Sequence, residues 1–91
     1  MFTTFDLQVM INEHLSPGNK VLISGVDQNL EKIKKMLYFC EVFVINEEFL
    51  PGVDIVSNNQ TRIFPDETFD MIIEIKPYPL KQVLKKKGKI I

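Results

Sequence analysis

The chain is short of the residues that usually mark special chemistry. Its 91 residues include one cysteine, one histidine, four glycines and no tryptophan. A lone cysteine, Cys40, excludes an intramolecular disulfide and fits a reducing compartment. Its place at a helix–strand junction reads as that of a small buried hydrophobe. His14 has no His, Cys or carboxylate companions at ligand spacing, so no metal site is expected. It reads as a residue at a helix end, where the dipole favours it. No apolar run approaches the roughly 20 residues that span a bilayer. The opening Met1-Phe2-Thr3-Thr4-Phe5-Asp6 has neither a basic segment nor a long apolar one, so no signal peptide is expected. Eleven basic residues against 12 acidic ones leave a net charge of −1, too little to attract nucleic acid or an anionic membrane. Walker, GxSxG and HExxH signatures are absent, as are internal repeats and low-complexity tracts. What remains is an ordinary globular composition, 45% hydrophobic and 25% charged. The expectation is a single cytoplasmic domain over residues 1–91, which at this size buries roughly two-thirds of its unfolded surface.

Residues 4–15 predict a helix, with Leu7, Met10, Ile11 and Leu15 on one face. Thr3 and Asp6 have the spacing of a capping box, and Ser16-Pro17-Gly18 ends the helix. Val21-Leu22-Ile23-Ser24 reads as a strand buried on both faces. Asn29 or Asp27 then caps a second helix near 29–39, with Leu30, Ile33 and Leu37 buried. Strands are expected at 41–45, 53–56 and 69–75, with a single helical turn over 47–50 and a loop over 57–68 that tucks Ile63 and Phe64 inward. Pro79 is expected to open a last helix, with Leu80, Val83 and Leu84 as its apolar face and Lys85, Lys86 and Lys87 in its final turn. Gly88 would follow that end, and Lys89-Ile90-Ile91 would begin a fifth strand. Strands alternating with helices predict parallel pairing, with helices on both faces of an open sheet.

Three segments carry a family likeness: Ser16 to Gly25, Phe64-Pro65-Asp66-Glu67-Thr68-Phe69-Asp70-Met71-Ile72-Ile73, and Val83 to Ile91. In this order they resemble the "PG-x-x-VLD-x-G", "FPDESFDLVI" and "VLKPGGRLV" passages of class I S-adenosylmethionine-dependent methyltransferases. The likeness covers about residues 16–91. It implies a three-layer Rossmann-like α/β fold with a mostly parallel five-stranded sheet of order 3-2-1-4-5. A ligand crevice is then expected outside the carboxyl ends of the strands.

The resemblance further implies a cofactor site at Gly25, Val26 and Asp27 after the first strand, at Glu47 after the second (to hold ribose hydroxyls), and at Asn58 or Asn59 after the third. Several residues depart from the family pattern. Ile23 stands where the family has a strand-one acid, and only the first glycine of GxGxG is kept. Asp27 places a negative charge where a cofactor carboxylate would sit. Ile75-Lys76-Pro77-Tyr78 echoes the "NPPY" of amino-methyltransferases, but Ile75 replaces the asparagine that accepts a hydrogen bond. Glu74 is left as the candidate ionisable group of the crevice. Three readings follow. The first is a degenerate, non-catalytic module that acts by binding or assembly. The second is a minimal methyltransferase whose partner subunit supplies the substrate site. The third is a small Rossmann-like domain that binds another nucleotide. A fifth strand at the sheet edge suggests a homodimer or a partner protein there. The lysines at 81, 85, 86, 87 and 89 lack the interleaved aromatics of a nucleic-acid surface.

Overall fold

The structure is a computed structural model that describes residues 4–57 and 63–91, with Thr4 and Phe5 described by their backbone alone. In chain order it forms α1 (Thr4–His14), β1 (Lys20–Ser24), α2 (Leu30–Met36), β2 (Glu41–Asn46), β3 (Ile55–Val56), β4 (Phe69–Glu74), a 3₁₀ turn (Lys81–Val83) and β5 (Leu84–Ile90). The five strands are all parallel, in the order β3-β2-β1-β4-β5. This is the expected α/β sheet order.

Alternation along the central strands explains how two cores form. Successive side chains of a strand point to opposite faces. Val21 and Ile23 of β1, Val44 of β2, and Met71 and Ile73 of β4 therefore join one core. Both α-helices stand on that face, contributing Leu7, Ile11 and Leu15 from α1 with its C-terminal end, and Leu30, Ile33 and Leu37 from α2 with its C-terminal end. Leu22, Ile45 and Ile72 point to the other face. There they meet Phe69, Tyr78 and Val83, with Phe43, Phe64 and Leu80 packed around them. Among the described residues, no α-helix contributes to this second core. Irregular segments at 63–68 and 75–83 cover it. Three phenylalanine rings hold it together, with Phe64–Phe69 centroids 4.7 Å apart and Phe43–Phe69 centroids 5.9 Å apart, both edge to face.

The expected helix from Pro79 is not formed. Residues 81–83 make a single 3₁₀ turn, and β5 begins at Leu84. Leu80, Val83 and Leu84 have helical spacing, but the apolar β4 needs hydrogen-bond partners along its outer edge, because buried backbone groups must be paired. β5 supplies them, aligning Leu84 with Phe69 and Ile90 with Ile72. The register shifts between these pairs. Phe69 to Met71 spans two steps, while their partners Leu84 and Lys89 are five apart. Lys85, Lys86 and Lys87 therefore lie in an irregular, bulged strand rather than in a helix end. Gly88 permits this bulge, since a Cβ there would fall 2.5 Å from Leu84 Cδ1.

Smaller departures have local causes. Residues 47–50 bend without forming a helical turn, and Pro51-Gly52 makes the turn instead. Within the loop, Phe64 packs inward, but Ile63 is exposed. β3 is only Ile55–Val56 because Asp54 takes over the pairing before it. Its carboxylate accepts the Val44 N–H at 2.8 Å, and its own N–H donates to the Val44 carbonyl at 2.9 Å. Asp70 acts similarly at the start of the β1–β4 pair, where its carboxylate accepts the Lys20 N–H at 2.9 Å.

Candidate functional site

Open parallel sheets offer their ligand site where the strand order reverses. Here that point lies between β1 and β4, at Ser24 and Glu74, which are register partners. Ser24 is buried, and its carbonyl accepts two N–H groups, from Ile75 and Lys76, each at 2.9 Å. Gly25 follows with φ +92°, a conformation that glycine adopts at little cost. Its N–H donates to the Ile45 carbonyl at 2.9 Å, which ties the turn to β2. A Cβ at Gly25 would lie 2.9 Å from both the backbone nitrogen and Cγ of Lys76. The close approach that this glycine permits is made by the chain's own Lys76.

The next two residues also serve the fold. Val26 is half-buried and packs against the helix-side core. Asp27 is exposed, and its carboxylate accepts the Asn29 N–H at 2.8 Å, while its carbonyl accepts the Leu30 N–H at 3.2 Å. Between the two candidate caps of α2, Asp27 thus makes the side-chain hydrogen bond. Asn29, at the cap position, makes none. Glu47 is exposed in the bend after β2. The buried Asn46 shapes that bend by donating its amide to the Glu48 carbonyl at 3.0 Å. Gly25, Val26, Asp27 and Glu47 therefore gather at the carboxyl ends of two adjacent strands. Asn58 and Asn59 lie outside the described residues.

Glu74 is tied into the next segment. Its carboxylate accepts the Tyr78 N–H and the ammonium group of Lys81. Partial burial opposes its ionisation, but the hydrogen bonds from Lys81 and Tyr78 and the Lys81 charge outweigh this and hold the carboxyl below its ordinary range. A carboxyl held in this way closes the path from β4 to the 3₁₀ turn. Glu74→Gln is expected to cost about 1 kcal/mol at pH 7, the worth of a partly exposed charged pair. Because the folded-state pKa is lowered, this contribution is complete above the unfolded-state value of about 4.3 and is lost as pH falls through the folded value. Urea midpoints of wild type and variant should differ at pH 7 and converge in acid. A constant gap down to pH 2 would contradict the assignment.

Lys76 was not legible as a site residue, because a lone lysine near a strand end carries no sequence signal, and Lys81 was read only as part of the basic C-terminal stretch. Tyr78, the second match to the "NPPY" echo, is fully buried in the second core. Burial pushes its phenol above the ordinary range, and among the described residues its hydroxyl has no hydrogen-bond partner. No group of three His, Cys, Asp or Glu that could hold a metal ion occurs among the described residues. None of their helices is long and apolar enough to cross a membrane. Comparison with family models, curated proteins and solved structures finds no match to this chain.

Proposed function

We propose that this chain is a reduced methyltransferase-like Rossmann module of the cytoplasm that transfers no methyl group and acts by binding or assembly. The observation that carries this reading is the contact between Gly25 and Lys76. A cofactor cradle needs backbone that the ligand can approach, and here Lys76 makes that approach. The neighbouring residues support the same reading. Val26 faces the core, Asp27 pins the start of α2, and Glu74 is held by Lys81 and Tyr78. The described part of the loop does not fit S-adenosylmethionine. In this reading the helix layer on the Phe69 face has been replaced by the loop segments that now cover it.

Calorimetric titration of the purified chain with S-adenosylmethionine and S-adenosylhomocysteine tests the proposal. No heat of binding is expected up to millimolar ligand. Micromolar binding to either would overturn the proposal and support the minimal methyltransferase in its place.

A further inference from the structure

A groove of about 510 Å³ opens between α1 and α2. Lys32, Lys35, Met36 and Phe39 line it from the α2 side at helical spacing, and Gln8 and Asn12 line it from α1. Tyr38 stands at its rim with 85% of its surface exposed, its ring edge to face with Phe39. The groove is therefore an apolar floor of Met36 and aromatic rings beside two exposed lysines. Neither lysine makes an ion pair among the described residues.

A complementary surface lies on the other flank of the same helix. The bend after β2 presents Glu47 and Glu48, both exposed, followed by Phe49 at 79% exposure and Leu50 at 38%. An exposed phenylalanine next to two glutamates is an apolar anchor with a charged collar. This tip is held against α2. A Cβ on Gly52 would touch Leu30 Cδ2 at 2.9 Å, and the Gly52 carbonyl accepts the Lys34 ammonium at 3.0 Å. Leu30, Glu31 and Lys34 face the tip, whereas Lys32, Lys35 and Met36 face the groove, so the outer face of α2 separates the two surfaces.

We propose that two copies of this chain pair about a two-fold axis over α2, each inserting Phe49 into the other's α1–α2 groove and placing Glu47 and Glu48 beside Lys32 and Lys35. The reciprocity follows from symmetry. In a two-fold dimer, a tip that meets a groove must have its own groove met by the other tip, and here both lie beside one helix. Charge complementarity selects the register, and the aromatic anchor supplies the desolvated centre. The proposal rests on the binding-module reading. It places the contact on the helices rather than on β5, where edge lysines discourage pairing between copies.

Sedimentation velocity of the whole chain at rising concentration tests it. The mass is expected to rise from 10.6 kDa to twice that value at low salt and to fall back as salt screens the pairs. Phe49→Ala, an exposed position that should not disturb folding, is expected to weaken the dimer about thirtyfold, as loss of an interface anchor does. The decisive arm uses two charge variants. K32E/K35E carries an acidic groove and an acidic tip, and E47K/E48K carries a basic groove and a basic tip. Each alone should be monomeric, and their mixture should form a one-to-one dimer. The proposal is overturned if the wild type stays monomeric at millimolar concentration, if a dimer persists unweakened in these variants, or if the mixture stays monomeric or grows into open chains. A monomer that ignores S-adenosylmethionine removes only the dimer. Micromolar S-adenosylmethionine binding removes the binding-module reading, whatever the mass.

Discussion

Gly25→Ala is expected to destabilise the protein by about 3 kcal/mol, adding the strain of a side chain at positive φ to a contact that cannot relax cheaply. The contact decides the magnitude. The added Cβ would meet the Lys76 backbone nitrogen at 2.9 Å, and that nitrogen is itself fixed by its hydrogen bond to the Ser24 carbonyl. Gly18 provides the control. It has φ +84°, yet a Cβ there would meet nothing within 4 Å. Gly18→Ala should therefore cost only the backbone term, about 1 kcal/mol. Urea unfolding of the two variants, with unchanged slope, separates strain from collision. Equal losses at the two sites would mean that Lys76 does not press on Gly25, and the case for a closed cofactor loop would lose its main support.

The same position shows why a likeness in sequence need not carry a site with it. Gly25 sits where the methyltransferase pattern has its first loop glycine, and the residues after it are Val26 and Asp27. A glycine in this turn is explained equally well by a ligand or by the chain's own backbone, and only the position of Lys76, fifty-one residues later, separates the two. Glu74 presented the same ambiguity. Its partner Lys81 lies across a crossover whose path depends on β5.

The central sheet was legible because its signals are local. Val21-Leu22-Ile23 and Met71-Ile72-Ile73 are short apolar runs that suit strands buried on both faces, and the 3-2-1-4-5 order followed from the likeness. α1 was legible from Leu7, Ile11 and Leu15. β5 was not. Lysine is a good helix former, and Leu80, Val83 and Leu84 fit helical spacing, so local propensity pointed to a helix over 79–87. The long-range need of β4 for an edge partner prevailed, and the bulge at Gly88 carries no pattern of period two to reveal a strand. For the same reason, no α-helix among the described residues covers the Phe69 face. With 84–90 committed to the sheet and 81–83 in a 3₁₀ turn, that segment could not form a helix over the Phe69 face.

A face on which the described residues place no α-helix must still form a solid core, and Phe69→Ala measures whether it does. Phe69 is fully buried, pairs with Leu84 across the β4–β5 register, and stacks edge to face on Phe43 and Phe64. Its truncation is expected to cost about 3 to 5 kcal/mol, a large share of the stability of a domain this small. Phe64→Ala, at a half-buried ring, should cost less, and a double-mutant cycle between the two should give a coupling of about 0.5 to 1.5 kcal/mol for the ring pair. Ile73→Ala on the helix-covered face supplies the comparison, at about 2 to 5 kcal/mol for a buried isoleucine. Comparable losses on the two faces would mean that the loop-covered side is packed as tightly as the helical one, so that the aromatic cluster and not a missing helix layer completes the fold. A loss below 1 kcal/mol at Phe69 would mean that the face is loosely covered and open to a partner. That result would move the search for an interface from α2 to the sheet.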